Sequence, residues 1–247
     1  MDYHLVAILV AAFFTAGVVK GIVGMGLPTI SLTLLCITFD ISTAMALLIA
    51  PSLVTNIWQS FGSTSLLQLF KRFWPFYCAS TSTVALGVYA FGFIEAEIAE
   101  QILGLLLVVY TTLSIFGLRF VIEHEQTRFI GGIVGFLTGI LTGITGSFVV
   151  PSVMFLQSIR LSVAEFTQVT GLLFSLLTLS LGFSLFIAGR LSIDITIFSL
   201  AGVVPAFIGM FFGYKIRTKL KGDMFRLILN GGLLIIGFEM LLGLTVI

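Results

Sequence analysis

The chain has 247 residues, of which 58% are hydrophobic and 9% are charged, whereas a soluble globular domain carries roughly 25% charged residues. Its mean hydropathy of +1.19 indicates that lipid surrounds most of it. A formal net charge of +1, without a basic patch that contains interleaved aromatic residues, argues against a nucleic-acid partner. Membrane lipid is therefore the expected surrounding.

Eight apolar segments follow one another along the chain. Six of them have the roughly 20-residue length of a transmembrane helix. These six cover residues 41–61, 73–94, 97–118, 163–188, 193–213 and 224–246. The other two, 5–38 and 129–159, would form straight helices of about 45–50 Å, which exceeds the roughly 30 Å hydrocarbon core.

Glycines interrupt both of the long segments. Gly24 and Gly26 lie within the first, and Gly143 and Gly146 lie within the second. Glycine adopts backbone angles that other residues avoid. Each long segment therefore predicts a helix, a break near the middle of the membrane and a second helix that turns back.

The basic residues favour these hairpins. With both long segments returning, ten Lys and Arg residues share one side of the membrane, whereas only Arg190 lies on the other side. The ten are Lys71, Arg72, Arg119, Arg128, Arg160, Lys215, Arg217, Lys219, Lys221 and Arg226. Single crossings would divide these ten and Arg190 five against six. Because Lys and Arg accumulate in cytoplasmic loops, we predict a multi-pass protein with both termini outside the cytoplasm.

The two halves of the chain resemble each other. Residues 17–26 (GVVKGIVGMG) align with residues 135–146 (GFLTGILTGITG) at an offset of about 118–120. We predict an all-α polytopic membrane protein built as an inverted repeat, in which residues 1–122 form one half and residues 123–247 the other. Each half would contain a broken helical hairpin and three transmembrane helices. Inverted repeats are common among secondary transporters, whose substrate sites lie between the halves.

The returning helices are expected to bind an anion. Helix N-termini present unpaired N–H groups and a partial positive charge. Pro28 suits the first turn of the first returning helix, where its missing N–H is not needed. Thr145 and Ser147 are candidate N-caps of the second, and they are predicted to bind substrate there. Three glycines at the breaks are candidate binding positions through their backbone: Gly24, Gly26 and Gly146.

Three motifs resemble the TauE/SafE sulfite exporter family of bacterial membrane transporters: KGIVGMGLPT (20–29), PSLVTNIWQ (51–59) and SFVVP (147–151). The resemblance covers nearly the whole chain. It implies a transporter in the bacterial cytoplasmic membrane for sulfite or C2 organosulfonates such as sulfoacetate. The family often has GIGGG at the breaks, whereas this chain has GMGLP and GITGS, so the individual substrate stays open.

Lys20 is the only basic residue deep inside a predicted membrane segment. Because a charge in the membrane costs several kcal/mol unless it is paired or hydrated, Lys20 is the leading candidate for a cationic anchor of the substrate. The alternative is that its amine reaches the interface along the helix.

Two segments carry a polar face. The face of segment 41–61 consists of Ser52, Thr55, Asn56 and Gln59, after Pro51, which is expected to kink the helix. The face of segment 163–188 consists of Gln168, Gly171, Ser175 and Thr178. Amides can donate to sulfonate oxygens, so Ser52, Asn56, Gln59 and Gln168 are predicted to bind substrate. Interhelical hydrogen bonding, at about 1 kcal/mol per pair, is the alternative.

Other patterns indicate structure. GxxxG steps predict close helix packing, and they occur at Gly17, Gly21, Gly131, Gly135, Gly139 and Gly143. Ser162 and Glu165 have the spacing of a capping box at a helix N-terminus. The glycine faces and 25 phenylalanines allow a homodimer without requiring one.

Enzymatic activity is not expected. The segments contain no nucleophile beside a base and no His/Cys grouping, so neither a catalytic residue nor a metal or other cofactor is predicted. We expect a secondary transporter that exports small sulfur-containing anions by alternating access. The alternatives are an anion channel, an uptake carrier for a related oxyanion and a structural subunit.

Overall fold

The computed structural model describes residues 3–62, 65–117, 122–123, 125–159, 161–217 and 222–243. Every regular element within these ranges is a helix, as the sequence predicted. In chain order they are α1 (Tyr3–Val23), α2 (Leu27–Leu35), α3 (Ile41–Leu47), α4 (Ile49–Ser60), α5 (Leu66–Phe91), α6 (Ala96–Ile115), α7 (Thr127–Thr145), α8 (Ser152–Ser158), α9 (Val163–Ile187), α10 (Ile193–Arg217) and α11 (Gly222–Leu241).

Several helices have the length and apolar character of membrane spans. Among the described residues these are α1, α6, α7, α9 and α10, and the bent pair α3 and α4 would make a sixth. The chain is therefore a multi-pass membrane protein.

The first break lies where the sequence predicted it. α1 ends at Val23, and both Gly24 (φ 86°) and Gly26 (φ 101°) have left-handed backbone angles that favour glycine. α2 begins at the next residue, and Pro28 lies in its first turn, where it removes no needed hydrogen bond.

The second break begins later than predicted. α7 continues through Gly143 and ends at Thr145, after which Gly146 has a φ of 70°. The prediction that Gly143 belongs to the break is wrong, because its small size serves helix packing instead. α8 begins only at Ser152. The prediction that Thr145 and Ser147 are its N-caps is therefore wrong. Instead, the Thr145 hydroxyl accepts a hydrogen bond from the N–H of Ser147 at 3.2 Å, at the C-terminal end of α7.

Both breaks follow a full-length helix. α1 has 21 residues and α7 has 19, which at 1.5 Å per residue gives about 31 and 28 Å, close to the thickness of the hydrocarbon core. The returning helices α2 and α8 have only nine and seven residues. The long helices thus continue past their earlier glycines until the first glycine with a positive φ. The depth of each break in the membrane stays a prediction.

The GxxxG steps pack helices closely, as predicted. In α1, a methyl group at Gly17 or Gly21 would clash with backbone carbonyl oxygens of α10. In α7, a methyl group at Gly139 or Gly143 would clash with carbonyl oxygens of α5. The absence of side chains at these positions therefore lets the backbones touch.

The contacts of α1 recur in α7 at a constant spacing. The pairs Gly17 and Gly139, Gly21 and Gly143, and Gly24 and Gly146 are each 122 positions apart. The carbonyl oxygens that these glycines approach recur in the same way. They belong to Ala206 and Met210 of α10 for α1, and to Ser80 and Val84 of α5 for α7. Ala206 and Ser80 are separated by the same number of positions as Met210 and Val84. An inverted repeat would produce this recurrence, although at a slightly larger offset than the sequence alignment indicated. The repeat itself stays a prediction.

Prolines bend two of the predicted helices. Segment 41–61 is divided at Leu48 into α3 and α4, whose axes differ by 44°. Pro51 cannot donate a hydrogen bond to the carbonyl of Leu47, so the bend lies one turn before the proline, in line with the predicted kink. α5 begins at Leu66, seven residues earlier than predicted, and has non-helical angles at Phe73, two residues before Pro75.

The side chains at the start of α9 form the interactions that the sequence predicted. Ser162 and Glu165 form the predicted capping box of α9, with donor–acceptor distances of 3.1 and 3.2 Å. Glu165 also lies 3.6 Å from Arg72 of α5.

The predicted orientation in the membrane rests partly on residues that the structure does not describe. Of the ten basic residues expected in the cytoplasm, four lie outside the described residues: Arg119, Arg160, Lys219 and Lys221. Residues 1–2 and 244–247 lie outside them as well, so the orientation of the termini stays a prediction.

Candidate functional site

The polar face of α4 is buried against its neighbours. Ser52, Thr55 and Asn56 are fully buried. The amide Nδ2 of Asn56 donates to Ser52 Oγ at 3.0 Å, and Ser52 Oγ lies 3.1 Å from Thr178 Oγ1 of α9. Because the Thr178 hydroxyl donates to the carbonyl of Phe174 at 2.6 Å, Ser52 is the donor in this pair. The predicted face of α4 thus forms a hydrogen-bond chain whose donors run from Asn56 through Ser52 to Thr178 of α9.

Lys20 of α1 joins this chain at its other end. Its side chain is only 2% exposed. Its Nζ donates to Thr55 Oγ1 at 3.2 Å and to Asn56 Oδ1. Thr55 can accept because its own hydroxyl donates to the carbonyl of Pro51 at 2.7 Å. The alternative in which the amine reaches the membrane interface is wrong, because the amine is enclosed between α1 and α4.

The charge of Lys20 meets only neutral groups. Within the described part of the chain, no carboxylate lies within 4.0 Å of its amine, and both of its hydrogen-bond acceptors are uncharged oxygens. An ammonium has three N–H donors, and a buried charge without an opposite charge is strongly destabilising. These surroundings are therefore suited to an anionic ligand.

Gln59 connects the first break to α9. Its Nε2 donates to the carbonyl of Gly24 at 2.6 Å and to the carbonyl of Thr167 at 2.9 Å, and it lies 3.2 Å from Thr170 Oγ1. Gln59 is one turn beyond Asn56 on the same face of α4, so Lys20, Gly24 and Gln59 belong to one polar region. The structure brings Lys20 to Asn56 and Gly24 to Gln59, although the members of these pairs are 36 and 35 positions apart in the chain.

The start of α2 adds polar groups that the sequence analysis did not single out. Gly26 precedes α2 and accepts the first helical hydrogen bond, from the N–H of Ile30 at 2.9 Å. The earlier N–H groups of Leu27 and Thr29 precede any intrahelical acceptor. The Thr29 hydroxyl is buried and has no hydrogen-bond partner among the described residues. In the sequence, the signal that could have identified Thr29 is its position three residues after Gly26.

The second break contacts different residues. A methyl group on Gly146 would lie 2.6 Å from Met45 Cγ of α3 and 3.4 Å from Leu32 Cδ1 of α2. Thr145 and Ser147 are buried, and their hydrogen bonds stay within the break and the end of α7. Met45 lies in α3, across the 44° bend from Thr55 of α4, and the hydrogen bonds of the Lys20 amine go to Thr55 and Asn56. Within the described part of the chain, Thr145, Gly146 and Ser147 therefore make no hydrogen bond to this amine.

Gln168 lies beside the end of α4. It is 3% exposed, and a methyl group on Gly62 would lie 2.8 Å from its Oε1. It therefore borders the region around Gln59 on the α9 side, and Lys20 makes no hydrogen bond to it.

Comparison with known proteins identifies one family. The chain matches the model of the family described as sulfite exporter TauE/SafE over residues 9–240. No curated protein matches the chain, and no solved structure matches it. The match includes both glycine breaks, Lys20 and the polar face of α4.

Proposed function

The chain belongs to the TauE/SafE sulfite exporter family, and we propose that it exports small sulfur-containing anions across the cytoplasmic membrane by alternating access. Its substrates are sulfite or C2 organosulfonates, of which sulfoacetate is an example. The family is one of transporters, so the sulfur anion is cargo and not a reactant.

One observation carries this proposal. The amine of Lys20 is enclosed in the protein and contacts only the neutral oxygens of Thr55 and Asn56. A sulfonate or sulfite oxygen would give this ammonium the negative charge that its protein partners do not supply. Charge-assisted hydrogen bonds of this kind are roughly twice as strong as neutral ones.

The same contacts suggest how binding is linked to movement. Lys20 holds α1 to α4, and Gln59 holds α4 to both Gly24 and Thr167. An anion that draws the amine of Lys20 toward itself lengthens the hydrogen bonds to Thr55 and Asn56, and it therefore weakens the α1–α4 contact. This difference in contacts between the free and loaded protein is what a ligand needs to shift a conformational equilibrium.

The test replaces Lys20 by methionine, which has a similar length and no charge. Removing one partner of a buried charged hydrogen bond costs about 2–5 kcal/mol, so we expect the affinity for sulfite and organosulfonates to fall about 30-fold or more. Calorimetry on the purified protein in detergent measures binding, and thermal unfolding measures stability. The unfolding temperature should not fall, because the variant removes a buried charge.

Lys71→Met is the matched control, because Lys71 is exposed near the start of α5. It should bind as the unmodified protein does. Unchanged binding by Lys20→Met would show that the amine is not the anchor. In proteoliposomes, a carrier exchanges labelled substrate by saturable counterflow, whereas flux without counterflow would favour an anion channel.

A further inference from the structure

We propose that the site around Lys20 selects anions with a single negative charge over those with two. This inference rests on the proposed function, and it narrows the substrate class to monoanions, so that sulfoacetate, a dianion, becomes a weaker ligand than the monoanionic organosulfonates. It follows from the number of charges that the protein places around the site and from their distances.

Lys20 supplies at most one positive charge, and its hydrogen-bond partners supply none. α4 contributes Ser52, Thr55, Asn56 and Gln59, which are all neutral. α2 contains no titratable residue. α10, which packs on α1, carries Asp194, Tyr214, Lys215 and Arg217, and all four side chains are exposed near the helix ends.

The charged side chains of α9 and of the residues after it have partners of their own. Within α9 the one acidic residue is Glu165, in the first turn, and it pairs with Arg72 of α5. Arg190, at the far end of α9, donates to Ser42 at 3.1 Å and lies over the ring of Phe91. Within the described residues, the buried region therefore holds one charge.

The second half does not add a cation at the matching position. The spacing of 122 that relates the contacts of α1 and α7 pairs Lys20 with Thr142. The Thr142 hydroxyl is buried and donates to the carbonyl of Ser147 at 3.0 Å. A site composed of equivalent groups from both halves would thus contain one ammonium and one hydroxyl.

This balance favours monoanions. An ammonium and a monoanion form a neutral pair, whereas a dianion leaves one negative charge uncompensated in a region that excludes water. The penalty for burying an unpaired charge in a protein is several kcal/mol after relaxation. Neutral donors such as amides and hydroxyls bind both anions, so they do not remove the difference.

The inference separates close chemical relatives. Hydrogen sulfite should bind in preference to sulfite, although the two interconvert near neutral pH. Isethionate (2-hydroxyethanesulfonate) should bind in preference to sulfoacetate, which has the same sulfonate and carries a carboxylate in place of a hydroxymethyl group. Sulfate should be a poor ligand.

The experiment measures the binding of isethionate, sulfoacetate, sulfate and sulfite to the purified full-length protein by calorimetry. At neutral pH we expect isethionate to bind at least tenfold more tightly than sulfoacetate or sulfate. Sulfite affinity should fall as the pH rises through the second ionisation of sulfurous acid. Isethionate does not titrate in this range, so a constant isethionate affinity would show that the change belongs to the ligand and not to Lys20.

Two kinds of failure are distinguishable. If sulfoacetate or sulfate binds as tightly as isethionate and Lys20→Met weakens all of them, the selection for monoanions is wrong and the proposed anchor stands. If Lys20→Met leaves isethionate binding intact, the amine is not the anchor and the inference about charge fails with it. If no sulfur anion binds the unmodified protein, the proposed function itself fails. The ligand comparison uses the unmodified chain, so it does not depend on whether a variant folds.

Discussion

Replacing Asn56 by aspartate tests whether the charge of Lys20 binds the substrate. The two side chains have nearly the same shape, and Asn56 Oδ1 already accepts a hydrogen bond from the Lys20 amine. Aspartate would place a permanent negative charge at this acceptor. The protein would then carry its own counter-ion where we propose that the anion binds.

The size of the effect follows from the distance between the charges. An anion bound to Lys20 would lie roughly 4 Å from the new carboxylate, where two unit charges at an effective dielectric constant of about 20 interact by about 4 kcal/mol. The same carboxylate also neutralises the lysine. We therefore expect the affinity for isethionate and sulfite to fall about 100-fold or more, since every 1.4 kcal/mol is tenfold.

Stability should respond in the opposite sense. The aspartate cannot donate to Ser52 as the asparagine amide does at 3.0 Å, but the Ser52 hydroxyl can turn and donate to the carboxylate. The buried ammonium gains an opposite charge. We therefore expect the unfolding temperature of Asn56→Asp to equal or exceed that of the unmodified protein, and a folded variant that does not bind is the expected result.

Asn56→Ala is the matched control for this variant. It removes the same amide and leaves the site cationic, so its affinity should fall by no more than about tenfold, which corresponds to one neutral hydrogen bond. Calorimetry and thermal unfolding on the three proteins measure both quantities. Equal affinities for the aspartate and alanine variants would refute the reasoning, because charge would then play no part in binding.

Two further predictions concern packing and orientation. Gly139→Ala places a methyl group against the carbonyl oxygen of Ser80 and should destabilise the protein by about 1–3 kcal/mol, measured by unfolding in detergent. Gly132→Ala is the control and should not destabilise the protein, because the nearest neighbour of its methyl group would be a Pro75 carbon at 4.0 Å. Equal effects of the two variants would contradict the packing argument. A reporter at the C-terminus that is active only in the cytoplasm should stay dark in cells, because the basic loops are expected inside; a bright reporter would contradict the predicted hairpins.

The broken segments show how far a local pattern reaches. The first break could be predicted because Gly24 and Gly26 interrupt a segment too long to be one span, and Pro28 fits the helix start that follows. The second break was predicted at Gly143 and Gly146, but only Gly146 belongs to it, because Gly143 lies inside α7 on the face that packs against α5. The sequence alone does not show that α5 lies against this glycine.

The candidate site shows the same limit in a different form. The unusual position of Lys20 and the polar spacing along α4 identified the residues, since charge and amides are scarce in this chain. Thr29 was missed because a single threonine in a membrane segment has no pattern around it. Its unpartnered hydroxyl becomes visible only when the neighbouring helices are in place.

The sequence by itself determined that the chain is helical and lies in the membrane, that two segments are broken at glycines, and that one lysine is buried among them. These features depend on local properties, namely hydropathy, backbone freedom and the solvation of a charge. Only the tertiary structure decided that the amine of Lys20 meets Thr55 and Asn56 without a carboxylate, and that the second break packs on Met45 and not on the lysine. Those outcomes depend on how distant helices pack, which short-range sequence patterns do not encode.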